Sequence, residues 1–270
     1  MISKAHIKGV LRLVTAGVGR ILPHADPMTP RILCYHEVAP RPADEWAVTP
    51  EQLSMQMRIL SETRHPVSLS QIVGWLLNGT QLPAGAVAVT FDDGFLGVLQ
   101  HAAPILAEFD VPGTAFISPE LVEKGSAAAH SSFHSKGPFM NWSQLRQLHE
   151  MGWTIGGHAM NHPALSQLPE AQSRDQIQMS RSIIEEHLGT TCEVMAYPYG
   201  TPGTVSEREQ RFAAEAGYRA AFMAVTGIPR AGMDPYDIPR SKVLGSDGYS
   251  TFRATLNGAL DIWGIIERSH

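Results

Sequence analysis

From Arg31 onward, short apolar runs alternate with stretches of helical spacing, and the alternation recurs about seven times. Residues 31–38, 86–93, 114–118, 154–158, 194–200, 220–225 and 237–244 read as strands. Between and after them, residues 50–63, 70–78, 96–109, 143–151, 169–188, 206–216 and 251–265 read as helices. Thr49 stands where an N-cap belongs, and Gly79, Gly189 and Gly217 stand where helices stop. Repeated strand-then-helix units require parallel strands with the helices outside them. Seven such units suit a closed or nearly closed barrel, so the expected fold is α/β, a deformed (β/α)7 barrel. No linker or low-complexity tract divides residues 31–270, which therefore read as one domain. Residues 121–140 form a Ser/Ala/Gly-rich loop, and loops of that length inside a compact domain are usually functional or mobile.

Composition narrows the function classes. The formal net charge is −5, whereas a nucleic-acid binder usually carries a basic balance, so no nucleic-acid partner is expected. Cys34 and Cys192 are the only cysteines, which excludes a disulfide framework and a cysteine-rich zinc site. Residues 1–30 are different. Lys4, Lys8, Arg12 and Arg20 interleave with apolar residues, with no acid before Asp26. The apolar runs are too interrupted for a membrane span, and Arg12 breaks the one candidate secretory core. The expected location is therefore cytoplasmic. The segment has two readings: a surface helix packed on its own domain, or a basic amphipathic helix in peripheral contact with the inner face of an anionic membrane.

Barrels of this kind place their chemistry at the carboxyl ends of the strands. That filter selects His36, Asp92 with Asp93, His158 with His162, and Tyr199. Two adjacent buried carboxylates repel unless a cation lies beside them. Alternatively, the pair is a helix N-cap and a first-turn acid. His158 and His162 are four residues apart, and on a helical turn both imidazoles could share one cation. Two histidines and one carboxylate form a catalytic zinc set, although the same pair also reads as surface histidines around a turn. His130 and His134 repeat the spacing, but in the long loop, with no strand delivering them. In MAYPYG, residues 195–200, the turn could aim a backbone N–H at an oxyanion, though Pro and Gly mark turns everywhere.

Together these residues resemble the polysaccharide deacetylase family, carbohydrate esterase family four, over about residues 31–244. TFDDG at 90–94 matches its first motif. HAMNH at 158–162 matches its H-[ST]-x-x-H motif with Ala159 in place of the hydroxyl residue, and AYPYG at 196–200 matches its R-x-P-[YF]-G motif with Ala196 in place of Arg. The resemblance implies metal-dependent removal of acetyl groups from N-acetylated sugars of a polysaccharide or glycan precursor. It implies Asp92 as general base, Asp93, His158 and His162 as ligands of a divalent metal, most readily Zn²⁺, and the Tyr199 N–H as oxyanion donor. The family's late L-x-x-H histidine is absent near residues 238–244, while CYHEV at 34–38 looks like the branch of biofilm poly-N-acetylglucosamine deacetylases. That branch implies His36 as general acid. The alternative is a core histidine held by a carbonyl. Arg240, on the last expected strand, is the residue placed to steady Asp92 in place of the missing Arg, and no substitute is evident for the hydroxyl lost at Ala159. Rival functions are a hydrolase of another acyl amide or O-acetyl ester on the same fold, and a non-catalytic carbohydrate-binding module.

Overall fold

A computed structural model describes residues 28–125 and 137–268. Most of the basic N-terminal segment, with His130 and His134, lies outside the described residues. The strands are β1 (Arg31–Tyr35), β2 (Glu37–Val38), β3 (Ala47–Val48), β4 (His65–Pro66), β5 (Ala86–Phe91), β6 (Gly113–Ile117), β7 (Thr154–Gly157), β8 (Val194–Ala196), β9 (Ala220–Phe222) and β10 (Ser241–Lys242). The helices are α1 (Pro50–Thr63), α2 (Leu69–Asn78), α3 (Ala103–Glu108), α4 (Pro119–Lys124), α5 (Trp142–Glu150), α6 (Glu170–Leu188), α7 (Glu207–Glu215), α8 (Tyr249–Leu256) and α9 (Ile262–Arg268). None of the described helices is long and apolar enough to cross a membrane.

The main sheet is parallel throughout, in the order β10-β1-β5-β6-β7-β8-β9, with the two-residue β4 beside the start of β5. One strip of chain bends it round. The Met223 N–H donates to the Ile238 carbonyl at 2.8 Å, and the Arg240 N–H to the Val225 carbonyl at 3.0 Å. A few residues on, Ser241 pairs with Leu33 of β1, and the Val243 N–H donates to the Cys34 carbonyl. The strip thus bonds the β9 side and the β1 side of the same sheet, and the fold is a deformed (β/α)7 barrel in a single domain.

Strand periodicity sorts the interior. Ile32, Ala88, Phe116, Ala196, Ala220, Phe222 and Ile238 share one buried cluster. Leu33, Val87, Val89, Phe91, Ile155 and Ala221, of the opposite parity, pack with Leu145, Ile177 and Phe212 of the surrounding helices. Continuing the first parity toward the carboxyl ends gives Cys34 and His36, Thr90 and Asp92, then Arg240, so the barrel interior leads directly to the candidate site.

Several boundaries differ from those read in the sequence. The first strand stops at Tyr35, and Glu37–Val38 instead joins Ala47–Val48 in a separate small sheet. Residues 121–124 of the expected long loop belong instead to a helix begun by Pro119. The expected helix at 96–109 starts with a π-helical turn, Val98–Ala102. The terminal helix is two helices, because Gly258 takes φ 83° and the Leu256 carbonyl is captured by Arg31 Nε at 2.9 Å. The last expected strand shrinks to Ser241–Lys242, with an isolated bridge at Ile238.

Candidate active site

Past Phe91, the Asp92 N–H still donates to the Tyr35 carbonyl at 2.9 Å, so Asp92 continues the strand and points inward. Asp93 then takes φ 73° and Gly94 φ 78°, which turns the chain and sends the two carboxylates apart. Asp92 meets Arg240 in a bidentate pair, Nη1 to Oδ1 at 2.7 Å and Nη2 to Oδ2 at 2.6 Å. The guanidinium is itself fixed, with Nε donating to the Met223 carbonyl at 2.9 Å and Nη1 to Thr90 Oγ1 at 3.1 Å. Burial acts to raise the Asp92 carboxyl, but the Arg240 charge and hydrogen bonds outweigh it and hold the group well below the usual carboxylate range. The Cys34 thiol lies 3.5 Å from Asp92 Oδ2 as a donor, and burial pushes its pKa up, keeping it protonated.

Asp93 faces the other way. Its Oδ1 lies 3.4 Å from His158 Nε2 and 3.3 Å from His162 Nε2, is buried, and makes no hydrogen bond. His158 Nδ1 lies 2.7 Å from the Ala196 carbonyl, which assigns a proton to Nδ1 and turns Nε2 toward Asp93; burial lowers this imidazole's pKa, but the two aspartates outweigh burial and raise it. Burial outweighs the attraction of Asp93 and pushes His162 down to about 4, so that imidazole is neutral at ordinary pH. Three acceptor atoms within 4.8 Å of one another, one of them a buried oxygen with no donor, match the needs of a divalent cation. Asp93, His158 and His162 can hold such an ion.

The turn carrying the two histidines is not helical, since Ala159 and His162 take φ of 56° and 62°. The hydroxyl lost at Ala159 does have substitutes. Ser118 Oγ donates to the His158 carbonyl at 2.7 Å, and Gln176 Oε1 accepts from the Met160 and Asn161 N–H groups at 3.0 and 3.3 Å. Among the described residues, the non-glycine residues with positive φ are Asp93, Asp110, Ala159, His162 and Tyr199. All but Asp110 surround the site, which is where such strain concentrates in proteins.

His36 follows β1 directly. One of its ring nitrogens lies within 4.8 Å of both an Asp92 oxygen and the Cys34 sulfur. Nδ1 is buried and has no hydrogen-bond partner, so no carbonyl holds it there. Burial lowers its pKa, against the pull of Asp93 and Asp92. Cys34, His36 and Asp92 have ligand-like spacing too, but both Asp92 oxygens are engaged by Arg240 and the thiol stays protonated, so this trio is not a free donor set. The half-exposed Tyr199 ring stands edge-on to His162 with centroids 4.7 Å apart. Its turn depends on Gly200, where a Cβ would fall 2.4 Å from the Ala224 nitrogen.

Cys34 and Thr90 escaped the sequence reading, although strand alternation signals them, each standing two residues before a candidate on the same face. Trp46, whose ring centroid is 4.9 Å from that of His36, carried no such signal.

The family profile for polysaccharide deacetylase matches residues 79–221. The curated protein YxkH of Bacillus subtilis (strain 168), provisionally named a polysaccharide deacetylase, is 20% identical over 224 residues, which span 83% of this chain and 74% of YxkH. The structure of the Streptococcus pyogenes deacetylase PplD in complex with acetate superposes with a TM-score of 0.74 at 22% identity, covering 85% of this chain and 99% of PplD. IcaB from Ammonifex degensii gives a TM-score of 0.72 at 21% identity, covering 88% of this chain and 99% of IcaB. The de-N-acetylase from Aggregatibacter actinomycetemcomitans gives 0.69 at 21% identity, covering 84% and 99%.

Proposed function

This chain belongs to the polysaccharide deacetylase family, and from that premise we propose that it is a zinc-dependent hydrolase removing acetyl groups from N-acetylated sugars of a polysaccharide or glycan precursor. One observation carries the reading: the buried Asp93 oxygen without a donor, facing two imidazole nitrogens, beside a second carboxylate locked in its ionised form. Asp93, His158 and His162 would hold the metal. When bound, such an ion lowers the pKa of water toward roughly 7 and polarises the acetyl carbonyl.

The chain's own groups do the rest. Asp92 takes the proton of the attacking water. Arg240 engages both oxygens of Asp92 and the Cys34 thiol donates to Oδ2, which leaves the second lone pair of Oδ1 for that proton. The same ion pair fixes the plane of the carboxylate, so the base is oriented before substrate arrives. The Tyr199 N–H donates to the oxyanion that develops on the acetyl carbonyl. His36, at the end of β1 between β10 and β5, donates a proton to the departing sugar nitrogen, because an amide nitrogen leaves poorly as an anion. The name of the Aggregatibacter protein, a de-N-acetylase, supports the choice of an N-acetyl substrate.

The test is acetate release by the purified, zinc-loaded chain from oligomers of N-acetylglucosamine, alongside sugar O-acetyl esters and non-sugar acetamides. Release from the N-acetylated sugars with bound zinc is the expected result. Faster turnover of either comparison class would overturn the substrate, and a chain that binds no metal even after reconstitution would overturn the mechanism.

A further inference from the structure

A general-acid histidine works only if the imidazole holds one orientation, and enzymes usually secure this by a hydrogen bond to the nitrogen that does not react. His36 has none at Nδ1, although that atom is buried. Something else must stop the ring from turning. Trp46 is a neighbour of the right shape. The Trp46 indole lies with its centroid 4.9 Å from that of His36, the two planes tilted by 58°. We infer that Trp46 is a positioning residue for His36, an inference that rests on the general-acid role proposed above.

The backbone explains why the two rings meet. The small sheet pairs β2 and β3 in parallel, Glu37 with Ala47 and Val38 with Val48. The residues just before each strand are His36 and Trp46, so this register brings them side by side. The Ala39 N–H, donating to the Val48 carbonyl at 3.0 Å, extends the pairing. The Trp46 N–H donates to Asp44 Oδ1 at 2.9 Å, which fixes the turn entering β3. The Gly245 N–H donates to the Glu45 carbonyl at 2.8 Å, tying the same stretch to the segment after β10. A Cβ at Gly245 would fall 2.4 Å from the Ala47 carbonyl, so the barrel closes tightly on this flap. A two-stranded ribbon of this size is marginal alone. Here its register sets an aromatic ring beside an imidazole whose buried Nδ1 has no hydrogen bond.

The inference separates Trp46 from a sugar-stacking platform. An aryl acetate such as 4-nitrophenyl acetate loses its leaving group without needing a proton, whereas an N-acetyl sugar does not. With the zinc-loaded full chain, W46L is expected to lower kcat on N-acetylglucosamine oligomers about 10- to 100-fold, the range for a misplaced catalytic group. KM and zinc content should stay at the wild-type level, the loss on 4-nitrophenyl acetate should be an order of magnitude smaller, and W46F should recover most of the rate. In an H36A background, W46L should cost nothing further. A rise in KM at constant kcat, or an equal loss in the H36A background, would overturn the inference. Nuclear magnetic resonance of the wild-type chain gives a readout independent of turnover and of any variant's folding. The His36 ring should show a single resonance with cross-peaks to the Trp46 indole, and their absence would overturn the inference even if no acetylated sugar proved a substrate.

Discussion

Two buried arginines form bidentate pairs with aspartates at opposite ends of the same barrel. At the start of β1, Arg31 meets Asp261 at 2.7 and 2.8 Å. At the far end, Arg240 meets Asp92 at 2.7 and 2.6 Å. Both guanidiniums are fully buried. By bond length the pairs are indistinguishable. What differs is the surroundings. Arg31 also donates its Nε–H to the Leu256 carbonyl, a fastening between β1 and the C-terminal helices. Beside Asp92 stands Asp93, with an oxygen that has no donor and two imidazole nitrogens facing it. A buried ion pair is therefore a poor marker of chemistry. The unfilled acceptor next to it is the better one, because burying it without a partner costs stability that only a ligand returns.

The sharpest way to break this contrast is Asp93→Ala, which should abolish acetate release and reduce bound zinc to trace, read by metal analysis of the folded protein. A variant that kept its metal would erase the distinction between the two ends. Asp92→Asn should lower kcat by about 10²- to 10⁴-fold, the usual worth of a general base, with zinc retained. Arg31→Met should do the reverse. It leaves a carboxylate without its partner and should cost about 3 kcal/mol in urea unfolding, while turnover per folded molecule is unchanged. The smallest effect is a pH dependence. Asp92 is held below its ordinary value of 3.8, so the stability drawn from its ionised form is complete above that value and fades as pH falls through the depressed one. In the metal-free chain, the stability gap between wild type and Asp92→Asn should hold constant near neutrality and narrow below about pH 4. A gap that widened in acid would mean that Arg240 does not depress Asp92.

Much of this architecture is legible in the sequence because parallel barrels are locally encoded. The AVAVTF run of β5 is buried along its whole length, and the Thr49 cap closes a capping box in the structure. The placing of Asp92, Asp93, His158, His162 and Tyr199 at strand ends follows from the same local pattern. Sequence reading fails where the deciding partner is remote. The break between α8 and α9 depends on Arg31, 225 positions from the carbonyl it captures. The pairing of Arg240 with Asp92 joins residues 148 apart, and sequence placed Arg240 on a strand without fixing its distance from any carboxylate. The support of the histidine turn by Gln176 comes from a helix face, where a glutamine looks like any solvated residue. The β2–β3 ribbon is too short to leave a periodic signal.

The strip from Ile238 to Val243 joins the two sides of the sheet and also carries Arg240, which imposes an order on biosynthesis. β1 emerges from the ribosome early, yet its neighbour β10 is made more than 200 residues later, as the register of Leu33 with Ser241 shows. Contacts of such long sequence separation slow folding. Until that strip is translated, Asp92 has no counter-ion and the barrel has an open seam. The nascent polypeptide therefore cannot pair Asp92 with Arg240 early, and the emergence of that one strip brings closure of the seam and the ion pair together.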